Sequence, residues 1–208
     1  MATPNLGIHD DGVLIAVRGA VFWNSTPNQR IDKASLATIS LETASFGTGE
    51  AKFYNLGHMS NDNLPEFSTD GGDPTTMSTW LKQSFRTTYE AITGTLTINS
   101  VQGDKDSFQW AYNGAVTDIG GVAFSLDKTP TNGSLFLLWE DSNVNKHAGL
   151  LLPNVDAAYS ALPELGTDAF TVFSTTATIK TSSALPKDAY GKTCSAEYLP
   201  PEAFVASV

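Results

Sequence analysis

The chain has 208 residues, and 12 basic against 22 acidic side chains set its formal net charge at −10 at pH 7, with a sequence pI near 4.5. That length suits one domain, with at most a small second one, and 41% hydrophobic residues suffice for a core, which excludes disorder of the whole chain. The acidity argues against a grip on nucleic acid, where affinity comes from clustered Lys and Arg displacing counterions from phosphates.

The stretch Met1–Gly12 has no basic flank followed by an apolar core, so no secretory signal is expected. The longest apolar runs, Val13–Val17 and Leu135–Trp139, fall far short of the roughly 18–20 residues that cross a bilayer. Cys194 is the single cysteine, so no intrachain disulfide can form. Only 16% of residues are charged, while 24 are Thr, many of them alternating with apolar residues, which is a β composition. Val13–Trp23 reads as a strand or bent pair of strands with a bulge or kink at Gly19, ended by Asn24-Ser-Thr-Pro-Asn28. Asp32 suits a helix cap running through Leu36 and Ile39, but Leu36–Glu42 fits a strand equally well.

Asn61–Thr76 reads as a long projecting loop. Two glycines in Asp70-Gly-Gly-Asp-Pro74 permit positive φ and Pro74 biases Asp73 towards extended geometry, while Leu64, Pro65 and Phe67 supply apolar contacts that suit a docking element. From Met77 to Ala91 the alternation places most charge on one face, and the Thr content favours a strand over a helix. Thr95–Val101 reads as a half-buried strand with Leu96 and Ile98 inward. Asp106-Ser-Phe-Gln109 has the form of a capping box, so a short helix is expected with Phe108, Ala111 and Tyr112 on one face and Gly114 as its left-handed stop. Val122–Leu126, Leu135–Glu140, Ala148–Leu152 and Phe170–Thr181 are strand-like, separated by turns such as Pro130–Gly133. The fold class is mainly β: a β-sandwich or small barrel with one flanking short α-helix, its main domain at 1–181 and a C-terminal extended arm at 182–208.

Motifs for chemistry are missing. Gly191-Lys192-Thr193 imitates the end of a phosphate loop, but the required earlier glycine position holds Pro186. Gly47-Thr-Gly49 lacks the third glycine of a dinucleotide loop, and no Gly-x-Ser-x-Gly elbow occurs. His9, His58 and His147 have no partner His at i+4 and only one Cys to join them, so no metal and no cofactor is expected. Asp62, Glu66, Asp70 and Asp73 lie in a stretch, Phe53–Leu81, without Lys or Arg, yet they lack the spacing of a calcium loop. A Cys194–His pair for nucleophilic catalysis has no local signature.

The block Leu56-Gly57-His58-Met59-Ser60, then Leu64-Pro65-Glu66-Phe67 and Asp70-Gly71-Gly72-Asp73, followed by Trp80, resembles the most recognisable segment of the major tail tube proteins of long-tailed bacteriophages, especially those of actinobacteria. A weaker resemblance covers most of the chain, including Gly19-Ala-Val-Phe22, but not the last thirty or so residues. The resemblance implies the tail tube β fold, no catalytic residues, and subunits assembling into typically hexameric rings that stack into a hollow tube. The subunit would be made in the host cytoplasm and sit in the virion tail. Expected partners are further copies of itself, the tape measure protein, and the tail tip and terminator proteins, with no membrane. The loop would reach a neighbouring subunit, making His58, Leu64, Pro65, Glu66, Phe67, Asp70, Gly71, Gly72 and Asp73 the candidate inter-subunit residues. A body of this size is about 40 Å across, and six such bodies in a ring leave a hole wide enough for duplex DNA. Carboxylates lining it would repel phosphates and let DNA slide through without specific binding. The rival readings are a carbohydrate- or receptor-binding sandwich using Trp23, Trp80, Trp110 and Trp139 as a platform, and a hydrolase using Cys194 or an acidic pair.

Overall fold

The computed structural model describes residues 7–8 and 12–205, so His9 lies outside the described residues. The first strand, β1 (Arg18–Asn24), is shorter than the apolar run that announces it. Ahead of it the chain is tied by side chain and backbone: the Ile15 N–H donates to the Asp141 carboxylate at 2.9 Å and the Val17 N–H to the Glu140 carbonyl at 3.1 Å. The expected kink at Gly19 is absent. Gly19 stands in register opposite Trp139, and a Cβ there would come 3.2 Å from the Leu138 carbonyl oxygen, so its smallness serves a close strand approach.

Helix α1 (Lys33–Thr38) resolves the ambiguity after Asp32 in favour of a helix. The Asp32 carboxylate accepts from both the backbone N–H and the hydroxyl of Ser35, each at 2.8 Å, and these bonds outweigh the dilution of the pattern by Ser and Thr. Next come β2 (Ser45–Phe46), a 3₁₀ turn at Gly49–Ala51 and β3 (Phe53–Asn55). Glu66–Asp70 is then a strand, β4, followed by β5 (Pro74–Met77), β6 (Arg86–Tyr89) and β7 (Thr93–Ser100). Two expectations are corrected here. Half of the supposed 61–76 loop is strand, because β7 offers it an open edge, and the supposed single strand after Met77 is broken by a reversal at residues 78–85 with Ser84 at φ 51°.

Helix α2 (Lys105–Tyr112) starts one residue before Asp106, and its cap is Asp104, whose carboxylate accepts from the N–H groups of Asp106 and Ser107 at 2.9 Å. Asn113, at φ 48°, takes the left-handed stop expected of Gly114. Gly114 serves instead as clearance, since a Cβ would lie 2.8 Å from the Ala123 carbonyl oxygen. The Ser107 N–H holds the Asp104 carboxyl below its ordinary value of 3.8. Asp104→Ala is expected to cost about 1 kcal/mol in urea denaturation at pH 7. Because the folded pKa is depressed, this contribution is complete above the unfolded value and disappears as pH falls through the folded one, so wild type and variant should converge in acid.

The remaining elements are the ribbon β8 (Ala115–Val116) with β9 (Val122–Ala123), then β10 (Thr131–Asp141), β11 (Lys146–Tyr159), β12 (Phe173–Ile179) and β13 (Glu197–Leu199), with a 3₁₀ turn at Pro201–Phe204. The turn expected at Pro130–Gly133 is mostly the start of β10. The large sheet runs β2-β3-β1-β10-β11-β12-β7-β4, with β13 on β11. All pairings are antiparallel. Between Gly133 and Leu135 the β10–β11 register shifts, and Pro153 sits at that irregularity, where its missing N–H costs no ladder bond. The Ser134 hydroxyl donates there to the Pro153 carbonyl at 2.7 Å.

The strands β1, β10 and β11 are buried on both faces, which explains the unbroken apolar runs Ala20–Trp23 and Leu135–Leu138. Val21, Trp23, Leu135, Leu137 and Leu152 face Leu96, Ile98 and Ala177 of the β7–β12 layer. Phe22, Phe136 and Leu151 face the opposite way, against Leu36, Ile39, Phe46 and Phe53. The chain after Ser182 returns to this second face: β13 pairs with Gly149–Leu151, and Leu199, Ala203 and Phe204 cover the cluster.

Candidate functional site

One flank of the molecule carries exposed apolar side chains along a sheet edge that is unpaired among the described residues. It begins at His58–Ser60, which lies along the Ser100 end of β7: the Ser60 N–H donates to the Asn99 carbonyl at 2.8 Å and the Val101 N–H to the His58 carbonyl at 3.0 Å. The chain swings out through 61–65 and rejoins as β4, where Glu66 pairs with Thr97, Phe67 with Leu96 and Asp70 with Thr93. Every residue of β4 is exposed, and its outer edge is unpaired among the described residues, ending the large sheet. Leu64 and Phe67 show 58% and 46% of their surface, an arrangement that invites another strand or apolar surface.

Gly71 and Gly72, at φ +86° and +85°, then turn the chain away from the sheet. A Cβ on Gly71 would lie 2.3 Å from the Ala91 carbonyl oxygen, so outgoing and returning chains cross closely at this neck. The Asp70 carboxylate accepts from the Gly71 N–H at 3.0 Å, and the Asp73 carbonyl accepts from the Glu90 N–H at 3.2 Å. Beyond it, β5 and β6 pair, among the described residues, only with each other, Pro74 opposite Tyr89 and Met77 opposite Arg86. The Thr76 and Thr87 hydroxyls meet at 3.1 Å, and Thr79 and Lys82 close the end of the ribbon. Trp80 is fully exposed, Leu81 90%, Phe85 62% and Tyr89 72%. A two-stranded ribbon is marginally stable alone in water, and one bearing this much apolar surface gains stability once covered.

Of the residues expected from the sequence, Glu66, Phe67 and Asp70 lie along the edge with Leu64 and Pro65 just before it, Gly71, Gly72 and Asp73 form the neck, and His58 lies beside β7, away from the neck. The sequence reading missed the ribbon's role. Met77, Leu81, Phe85 and Tyr89 share one parity, as in a strand with one buried face, and Trp80 alone departs from it.

The chemistry of catalysis or metal binding does not converge here. Among the described residues no group of three or more His, Cys, Asp or Glu side chains is arranged to hold a metal. The Glu140 carboxylate stands 3.5 Å from His147 Nε2, and the Cys194 carbonyl accepts from the Ser182 N–H at 2.9 Å. The tryptophans form no platform. Trp23 packs edge-on to Trp110 at 5.7 Å and Trp139 stacks on Tyr198 at 6.3 Å, leaving Trp80 alone in solvent.

A family model described as "Phage tail tube protein" matches residues 6–190. The "Major tail protein Gp23" of Mycobacterium phage D29 is 36% identical over 78 residues, 38% of this chain and 39% of its own length. The protein of the same name from Mycobacterium phage L5 is 30% identical over 132 residues, 62% of this chain and 66% of its own length. The chain thus spans less than two thirds of each relative it matches.

Proposed function

The chain belongs to the phage tail tube protein family, a structural and non-enzymatic family of the virion tail, and from that premise we propose that it is the repeating wall subunit of a hollow tube. Copies close into rings, six to a ring, and the rings stack so that duplex DNA passes along the axis during ejection. The observation that carries this reading is the exposed apolar ribbon beside an unpaired sheet edge, a combination that a monomeric protein would have reason to hide. Leu64, Pro65 and Phe67 on the edge contact a neighbouring subunit, with Asp70–Asp73 setting the angle at which the ribbon leaves, and His58 and Glu66 flank that contact. The acidic excess lies partly on the lumen wall, where it repels phosphate and keeps DNA moving. Tape measure, tail tip and terminator proteins are the partners at the two ends.

Electron microscopy of the concentrated protein and of virion tails tests this: hollow filaments or rings of uniform width are expected, and tails walled by a different polypeptide would end the proposal. Leu64→Ala with Phe67→Ala removes two exposed side chains, so the melting temperature should stay within about 2 °C of wild type. Incorporation into tails should nevertheless fall about tenfold, since each buried aliphatic or aromatic contact is worth roughly 1–2 kcal/mol. Normal polymerisation of this variant would remove the edge from the interface.

A further inference from the structure

The ribbon has a counterpart at the opposite end of the same strands. β7 carries Thr93 beside the neck and Ser100 at its other end, about 25 Å away at the usual rise per residue. At the Ser100 end, α2, the β8–β9 ribbon and the 160–172 segment gather. The Tyr112 hydroxyl donates to the Ala161 carbonyl at 3.0 Å, the Tyr159 hydroxyl donates to the Leu126 carbonyl at 2.6 Å, and the Phe124 ring lies 4.8 Å from that of Tyr112. They leave a cleft of about 150 Å³ lined by Trp110, Tyr112, Ser125, Asp127 and Tyr159 among others. A cavity of about 150 Å³ admits a ring the size of benzene. Around this end Ile119, Leu126, Leu165 and Phe170 each expose 70% or more of their surface.

The charges of the two ends are complementary. Residues 74–89 hold Lys82 and Arg86 and no carboxylate, in a chain whose net charge is −10, and neither cation makes an ion pair among the described residues. Residues 114–128 and 160–172 hold Asp118, Asp127, Glu164 and Asp168 against Lys128 alone, which sits over the Tyr159 ring of its own chain.

Resting on the tube reading above, we propose that the ribbon tip of one copy seats on the α2 end of the next copy. Trp80 enters the cleft beside Asp127, while Lys82 and Arg86 face Asp127 and Glu164. A contact that joins opposite ends of one molecule is heterologous and, where it does not close into a ring, repeats without limit along an axis, which is the geometry a tube requires. The second copy is favoured as occupant because this chain itself supplies a basic, aromatic tip that complements an acidic seat in charge.

A charge swap tests the assignment in tails assembled by a phage that lacks its own copy of this gene and is complemented with each variant. Lys82→Glu with Arg86→Glu, and separately Asp127→Lys with Glu164→Lys, should each lower the amount of chain sedimenting with tails about tenfold or more, because attraction becomes repulsion at two positions per contact. All four positions are exposed, so melting curves should match wild type. The chain carrying all four substitutions should recover to within about threefold of wild type, since the pairs are restored with reversed sign. Normal incorporation of the Lys82/Arg86 variant, or a fourfold variant no better than the poorer double, would overturn the proposed seat while leaving the tube subunit intact. Wild-type chain missing from the tails would instead remove the tube reading itself.

Discussion

Phe136→Ala is expected to lower the stability of the fold by about 3–5 kcal/mol. Phe136 is fully buried at the centre of β10, with its ring centroid 6.1 Å from that of Phe22 and 6.0 Å from that of Phe46, and Phe46 in turn stacks on Phe53 at 5.3 Å. The packing around it is tight enough that a Cβ added to Gly149, across the ladder, would fall 2.6 Å from the Phe136 ring. Deleting the ring therefore leaves a void on the face of the sheet that packs against Leu36, Ile39, Phe46 and Phe53, where the surrounding side chains relax only partly. Helix α1 suffers too: at 6 residues it cannot persist alone, and Leu36 and Ile39 hold it through this same cluster. Urea denaturation followed by circular dichroism measures the loss, and at this chain length the melting temperature should drop by roughly 6–20 °C. Phe136→Leu, which keeps most of the volume, should cost under about 2 kcal/mol. A Phe136→Ala loss below 1 kcal/mol would mean that the two-faced burial of β10 is not what holds the sheet together.

That burial was legible in advance, because a run such as Leu135-Phe-Leu-Leu138 has nowhere to put a polar face. Thr95–Val101 was legible for the complementary reason: Leu96 and Ile98 alternate with polar residues, and both are fully buried in β7. Less could be read where a local signal competed with a tertiary one. The capping pattern at Asp106 was real chemistry at the wrong carboxylate; Asp104 reaches both the Asp106 and Ser107 amides, and two carboxylates two positions apart leave sequence alone unable to choose. Glu66–Asp70 carries turn-rich neighbours and no buried side chain, so only the open edge of β7 makes it a strand. The ribbon was hidden for the opposite reason. Met77, Leu81, Phe85 and Tyr89 share one parity and so imitate a strand with one buried face, whereas the chain reverses at residues 78–85 and leaves Leu81, Phe85 and Tyr89 exposed.

Gly71→Ala should separate folding from assembly. At φ +86° an alanine costs about 1–2 kcal/mol in backbone strain. Its Cβ would also lie 2.3 Å from the Ala91 carbonyl oxygen, a backbone atom with no rotamer to relieve the clash. The neck must therefore open. β5 and β6 pair only with each other, so the ribbon can swing while the core packing stays in place. The expected result is a global stability within about 1 kcal/mol of wild type, because the strain is relaxed locally, together with a loss of incorporation into tails of about tenfold or more, since 1.4 kcal/mol of misdirected contact already gives that factor. Gly72→Ala should be milder: its Cβ meets Ile92 Cγ1 at 3.0 Å and Cδ1 at 3.2 Å, the end of a side chain that can turn aside. Gly191→Ala is the control, with a comparable φ of +76° and nothing within 4 Å of its Cβ, in a turn of the C-terminal segment. It bears the same dihedral strain and should assemble normally. If Gly71→Ala assembles as well as Gly191→Ala, the angle of the ribbon does not govern subunit docking; if Gly191→Ala fails equally, the defect is one of folding and the neck has no special part in it.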